Sequence, residues 1–225
     1  MGKYISDETR LKQKRGSGFG EDYIPWIVDN DFNNQGVSAV IKDIKNGRMI
    51  QLMSQGELGW YYMYRFSDDV VDLREQFPLL PKEETDEIAA MFGARKPRRV
   101  MTTDMLLTLA DSREVAISVK ADRTAMDDKR NKEKFLIEQE YWRRRGVAWQ
   151  IVFKEDLDPK VIENLEHVWS SWYEDRVYSE RSLVRYMIMH KIITVDLTKD
   201  IDYRAILEGL KADPIWDEYK YLLEK

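Results

Sequence analysis

The stretch that most constrains this chain runs from Val100 to Lys120. Two runs rich in apolar and β-branched residues, Val100 to Leu109 and Glu114 to Lys120, flank a short polar break at Asp111-Ser112-Arg113. Runs of this kind joined by so few residues predict an antiparallel β-hairpin. Alternation puts Val100, Thr102, Asp104, Leu106 and Thr108 on one face of the first strand. On the second strand Val115, Ile117 and Val119 share one face, and Ala116, Ser118 and Lys120 the other. Asp104 is therefore a carboxylate in the middle of an apolar strand, and Lys120 ends a largely apolar run. An ionised group in such a place is costly unless it is paired or bound to a metal.

The flanking segments supply the rest of a fold. Ser54 as N-cap with Glu57 three residues later fits a capping box that opens a helix ending near Phe66. Leu58, Tyr61, Tyr62 and Arg65 share one stripe of it, and Glu57 stands among aromatics on its own side. Val70 to Phe77 reads as a strand stopped by Pro78 and Pro81, followed over 82–97 by a charged loop with a short helix. A long charged helix is predicted over 126–145, closed by Gly146, and a fourth strand over Val147 to Phe153. Helix, three strands, helix and strand in that order predict an α/β mixed sheet flanked by helices.

After Asp158-Pro159 the pattern turns helical, with one short strand expected at Ile192 to Leu197. The chain thus divides into a basic, Gly-rich flexible arm (1–20), a central domain (21–158) and a small C-terminal helical domain (159–225). The last is open to a winged-helix or a plain helical form. The glycines of Arg15-Gly16-Ser17-Gly18-Phe19-Gly20 do not make a phosphate loop, because no apolar strand precedes them and no Gly-Lys-Ser/Thr follows.

Composition narrows the chemistry. The chain has no cysteine and two histidines, His167 and His190, which excludes thiolate chemistry and disfavours zinc. A catalytic metal is expected to be a hard ion on oxygen ligands. Among 225 residues no apolar run reaches the length of a membrane span, and the polar N-terminus is unlike a secretory signal, so a cytoplasmic location is expected. Net charge is −5, but positive charge gathers at Lys12, Lys14 and Arg15, at Arg95, Lys96, Arg98 and Arg99, and at Arg143 to Arg145. Each cluster alone fits a solvated face as well as a phosphate contact.

Asp104, with a lysine sixteen positions on in the next strand, is the skeleton of the restriction-endonuclease-like site, written Asp, spacer, Asp/Glu-x-Lys. In that arrangement carboxylates hold divalent ions, which activate water and offset charge on phosphate, and the ammonium orients the water. A main-chain carbonyl, here that of Val119, commonly completes the coordination. Ser118 stands where the second acid belongs, so the missing carboxylate must come from elsewhere, and Glu57 is the natural donor. Each residue also has a structural reading: Glu57 as a cap, Asp104 in an ion pair, Lys120 reaching out at a strand end. A Glu57 side chain bent back to cap its helix would not also bind metal.

Five separated segments then add a resemblance. Gly16-Ser-Gly-Phe-Gly-Glu-Asp-Tyr-Ile-Pro-Trp26, Ser54-Gln-Gly-Glu-Leu58, Leu73-Arg-Glu-Gln-Phe-Pro-Leu-Leu-Pro81, Met101-Thr-Thr-Asp104 with Ile117-Ser-Val-Lys120, and Glu138-Gln-Glu-Tyr-Trp142 with Trp149-Gln-Ile-Val-Phe153 occur in order. Together they resemble the TnsA family, endonuclease subunits of heteromeric cut-and-paste transposases. The resemblance covers about residues 10–155. It implies Glu57, Asp104 and Lys120 as catalytic triad, and Mg²⁺ (Mn²⁺ as substitute) held by Glu57, Asp104 and the Val119 carbonyl. It further implies hydrolysis of the non-transferred strand at the 5′ ends of the transposon. Partners implied are DNA, an integrase-type transposase, TnsB, and an AAA+ ATPase, TnsC, contacting the C-terminal part. Position 118 departs from the family, where a glutamine is expected, and Ser118 would reach a metal only through water. Lys12, Lys14, Arg15, Arg98 and Arg99 are expected to grip DNA phosphates without reading sequence. Two other readings stay open: a stand-alone restriction or repair nuclease of the same fold, and a non-catalytic scaffold docking an ATPase and DNA.

Overall fold

The structure, a computed structural model, describes residues 5–28, 31 and 39–223; residues 1–4 of the predicted arm and 224–225 of the predicted C-terminal domain lie outside them. In chain order the regular elements are α1 (Asp7–Lys12), β1 (Ala39–Lys42), β2 (Met49–Leu52), α2 (Gln55–Phe66), β3 (Val70–Pro78), α3 (Lys82–Met91), β4 (Thr102–Leu109), β5 (Glu114–Lys120), α4 (Lys129–Arg144) and β6 (Ala148–Phe153). Four further helices follow: α5 (Pro159–Trp169), α6 (Glu180–Met189), α7 (Tyr203–Lys211) and α8 (Ile215–Tyr219). The backbone divides into two compact units, Met1–Asp156 and Leu157–Lys225.

The first unit is built on a mixed four-stranded sheet of order β3-β4-β5-β6. β3, β4 and β5 are antiparallel neighbours, and β5 and β6 pair in parallel because α4 carries the chain back across the sheet. Helix α4 starts where the Asp128 carboxylate accepts from the Asn131 N–H (2.7 Å). It ends at Gly146, whose φ of 67° is the left-handed turn that glycine adopts without a steric penalty. Leu106 and Ala116, partners across the β4–β5 ladder, are buried against Ile88 and Ala89 of α3 and Ile137, Tyr141 and Trp142 of α4. This is the restriction-endonuclease-like mixed sheet flanked by helices that the pattern predicts.

Helix α2 packs against β3 and β5. Its inward residues include a charge: Arg65 is fully buried, with Nε 2.8 Å from Asp43 Oδ1 and Nη2 2.6 Å from Asp43 Oδ2, while the Tyr61 hydroxyl donates to the same carboxylate at 2.8 Å. Asp43 lies in the turn of the β1–β2 hairpin, so this network ties hairpin to helix. With its hydrogen bonds met such a pair is tolerated in a core, and deleting one partner typically costs about 3–5 kcal/mol.

The predicted flexible arm is instead ordered over its described part. Residues 7–12 form α1, capped by Ser6, and Arg10 and Arg15 both reach the buried Asp31. The glycines serve close packing: a Cβ on Gly16 would stand 2.2 Å from Pro78 Cγ, and one on Gly18 2.2 Å from the Asp22 carbonyl oxygen. A backbone bridge joins Ser17 to Ile24, and the Trp26 N–H donates to the Gln76 carbonyl at 3.3 Å.

The second unit is helical, with Leu165, Val168, Leu183, Val184, Met187 and Ile188 buried. The strand expected at Ile192 to Leu197 does not form, and no strand occurs in this unit among the described residues. The alternating apolar pattern there is overridden by a side chain: Asn164 Nδ2 donates to the carbonyls of Leu197 and Lys199, each at 2.8 Å. Of the two forms left open, the described residues fit the plain helical one.

Candidate active site

Asp104 and Lys120 meet as the hairpin reading requires. The register pairing Met105 with Ile117 places Asp104 opposite Ser118, with Lys120 two residues on along the same face. The Val119 N–H donates to Asp104 Oδ2 at 2.6 Å. Lys120 Nζ donates to the Val119 carbonyl at 2.8 Å and lies 3.6 Å from Asp104 Oδ2. It also sits 5.6 Å from the Phe135 ring centroid, over the ring face. Both side chains keep a little exposure, 26 % for Lys120 and 21 % for Asp104, and line a cleft of about 560 Å³.

Glu57 comes from the first turn of α2. Its carboxylate is buried and bent back: Oε1 accepts from the Ser54 hydroxyl (3.0 Å), and Oε2 from the Met53 N–H (2.9 Å) and from Gln76 Nε2 (3.3 Å). Burial pushes its pKa up to about 7, and the charge of Asp104 adds to that, against the lowering effect of those three donors. The first turn stands close over β5, since a Cβ on Gly56 would lie 3.1 Å from Val119 Cγ1. Glu57 thus does cap its helix, yet capping leaves one lone pair on Oε1.

A fourth group belongs to this set, one that lies within a resembling segment but has no role in the sequence reading. Glu138 of α4 lines the same cleft and is buried, with Oε1 accepting from the Thr103 and Ser118 hydroxyls, each at 2.7 Å. Burial and then the Asp104 charge raise its pKa to about 7, while the two hydroxyl donors and Lys120 act to lower it. A signal for it does exist: Glu138 shares its helical face with Phe135, three residues before it, and with Trp142, four after it, and both are buried. Ser118 is corrected in turn. It is buried, donates its one proton to Glu138 and accepts from Trp149 Nε1 at 3.1 Å, so its hydroxyl is oriented toward Glu138 and cannot donate to a metal-bound water.

The basic residues divide. Arg98 and Arg99 line the cleft, joined there by Arg95, Arg130 and Lys134. Arg130 is paired with Glu133 at 2.9 Å, but the side chains of Arg95, Arg98 and Lys134 form no ion pair among the described residues. Lys12, Lys14 and Arg15 line no part of it. Lys12 pairs with Glu8 at 2.8 Å, Lys14 is exposed, and Arg15 is spent on Asp31 (2.5 Å) and the Trp26 carbonyl. Arg15 is therefore structural, and a phosphate role for it is withdrawn.

The donor set suits a hard cation. No three His, Cys, Asp or Glu side chains converge among the described residues to bind an ion by themselves. Two carboxylates and the Val119 carbonyl offer only oxygen, and Asp104 Oδ1 has no hydrogen-bond partner among the described residues. The Asp104 charge raises the cost of ionising Glu57, and a divalent cation between the two would relieve it.

Comparison with known proteins gives a family. A family model for the N-terminal part of TnsA-like endonucleases matches residues 67–154. The Escherichia coli transposon Tn7 transposition protein TnsA is 34 % identical over 221 residues, spanning 90 % of this chain and 80 % of that protein.

Proposed function

Because the chain belongs to the TnsA family of transposon endonucleases, we propose that it hydrolyses one DNA strand at transposon ends with the help of a divalent cation. The observation that carries the reading is the pairing of Lys120 Nζ with the Val119 carbonyl and Asp104 Oδ2, beside a second carboxylate on α2. Glu57, Asp104 and the Val119 carbonyl would hold Mg²⁺, with Mn²⁺ as substitute. Such an ion, when bound, lowers the pKa of water and offsets the charge that builds on the phosphoryl oxygens.

The chain's own residues do the rest. Asp104 presents its free oxygen to the cleft while its other oxygen fixes the β5 backbone at Val119. Lys120, held at the Val119 carbonyl, puts a positive charge where the attacking water must be oriented and the phosphate neutralised. Glu138, linked to both catalytic strands through Thr103 and Ser118, adds negative charge behind Asp104 and favours cation capture. Arg95, Arg98 and Lys134 take the flanking phosphates, giving salt-sensitive binding that does not read sequence.

Family membership extends the proposal to strand and partners: the non-transferred strand at the 5′ ends is cut, an integrase-type transposase (TnsB) processes the 3′ ends, and an AAA+ ATPase (TnsC) engages the C-terminal helices. No helix among the described residues is long and apolar enough to cross a membrane. The test is strand-specific cleavage of an end-labelled transposon-end duplex in Mg²⁺ or Mn²⁺, with and without the partner transposase, by wild type and Asp104→Asn. Partner-dependent cutting near the 5′ end, lost in the variant, is expected. Cutting that needs no partner would point to a stand-alone nuclease, and no cutting by either protein to a docking scaffold.

A further inference from the structure

We propose that Gln76 is a positioning residue that holds the Glu57 carboxylate beside Asp104 in the geometry a divalent cation needs. The inference rests on the metal-dependent reading above and deepens it.

Its place in the sheet comes first. The β3–β4 register pairs Glu75 with Met105 and Phe77 with Thr103, so Gln76 stands opposite Asp104. Its backbone is the second observation. Gln76 has φ 49°, the left-handed region, within a strand whose neighbours are extended. That conformation is strained for a residue with a Cβ and persists only where the surroundings impose it; such residues cluster at functional sites. The third is the side chain, which is buried with both ends of its amide engaged. A carboxylate only accepts, so the nitrogen faces Glu57: Nε2 donates to Glu57 Oε2 at 3.3 Å, while Oε1 accepts from the Thr102 hydroxyl at 3.1 Å.

A residue needed only to continue β3 would be extended, and one needed only for the kink would be best served by glycine, which takes positive φ freely. Neither accounts for an amide spanning Glu57 and the start of the strand that carries Asp104. With the Met53 N–H and Gln76 both on Oε2, the carboxylate is pinned from the segment leading into α2 and from β3 at once, and Oε1, which accepts only from the Ser54 hydroxyl, keeps a lone pair for a cation. Residues that orient metal ligands in this way typically change metal affinity by roughly 10- to 100-fold when removed.

The test is Mn²⁺ titration of the full chain, reading free Mn²⁺ by electron paramagnetic resonance, with the melting temperature of the metal-free protein measured alongside. Wild type, Gln76→Gly, Gln76→Met and Asp104→Asn are compared. We expect Gln76→Gly, in which relief of the strained backbone offsets loss of the buried side chain, to bind Mn²⁺ roughly 10- to 100-fold more weakly with its melting temperature little changed. Gln76→Met, similar in size and without the hydrogen bonds, should lose affinity likewise, and raised Mn²⁺ should restore cleavage by both. Wild-type affinity in both Gln76 variants, with affinity lost in Asp104→Asn, overturns this inference alone. Losses of affinity that track losses of melting temperature in both Gln76 variants assign the residue to the fold and overturn it too. Asp104→Asn binding as well as wild type would instead bring down the metal-dependent reading itself.

Discussion

Helix α4 carries two glutamates that are two residues apart and electrostatically opposite. Glu140 accepts from Arg143 and Arg144, and those hydrogen bonds hold its pKa down at about 2. Arg144 and Arg145 go on to pair with Glu87 and Glu84, stitching α4 to α3. Glu138, on the cleft side, is buried beside Asp104 without an arginine on its carboxylate, and is raised to about 7. The Glu140 end of the helix is an ion network with every charge answered. Around the cleft, buried carboxylates stand close to Asp104, and the side chains of Arg95, Arg98 and Lys134 form no ion pair among the described residues. Charge on the Glu140 side is compensated within the chain, whereas under the proposed function the unpaired charge of the cleft is what DNA and a cation would compensate.

The sharpest way to break this contrast is to remove a cleft charge and find activity intact. Asp104→Asn keeps an acceptor for the Val119 N–H while removing the negative charge, so the fold should survive. Single-turnover cleavage of the labelled duplex should fall on the order of 10³-fold. A rate within a few fold of wild type would mean the cleft is not the active site.

The next effect is on stability and has a definite sign. Glu57 and Glu138 have folded pKa values of about 7 against an ordinary 4.5, so between those values the folded protein binds more protons than the unfolded chain. Their contribution to stability is full below about 4.5 and is lost as pH rises through about 7. Glu138→Gln, which keeps an acceptor for Thr103 and Ser118 and cannot ionise, should therefore stabilise the metal-free protein at pH 8, on the order of 1–3 kcal/mol by urea denaturation. It should also flatten the decline between pH 5 and 8, whereas a destabilised variant at pH 8 would show that Glu138 is not strained by its surroundings.

How much of this is legible in the sequence depends on what kind of signal a residue gives. Asp104 and Lys120 stand out because alternation makes a charge in an apolar strand conspicuous, and the observed register bears out the predicted hairpin. Glu138 is hidden by its neighbours: in Lys129–Arg144 so many positions are charged that one buried acid is visible only on the face with Phe135 and Trp142. The glycines at 16 and 18 suggest freedom, but they answer close approaches to Pro78 and Asp22 that no local pattern encodes. The β1–β2 hairpin is absent from the predicted strands, because its anchor is the non-local pair Asp43–Arg65. Gln76 gives no local cue at all, since its conformation is set by β4, α2 and Trp26 together.

Two smaller tests sharpen the contrast. Arg98→Ala with Lys134→Ala should lower duplex affinity and reduce the slope of log affinity against log salt by about 1 for each phosphate that is no longer neutralised. Fluorescence anisotropy at a series of salt concentrations measures this, and an unchanged slope would take both residues off the phosphate path. Arg144→Ala, on the compensated side, should leave that slope alone and change stability little, as read by urea denaturation, because exposed pairs contribute little. A large loss of DNA affinity there would erase the division between the two regions.

Gly56 sets the clearance between α2 and β5. With Val119 Cγ1 3.1 Å and Lys154 Cβ 3.3 Å from where a Cβ would stand, Gly56→Ala asks its neighbours to yield by a few tenths of an ångström. Every acid, base and hydrogen-bonding group would be retained, so chemistry would be held constant while position alone was varied. The first turn of α2 thereby becomes a ruler: the rate lost per increment of side chain at residue 56 measures how finely this site is tuned in distance, separately from what its atoms are.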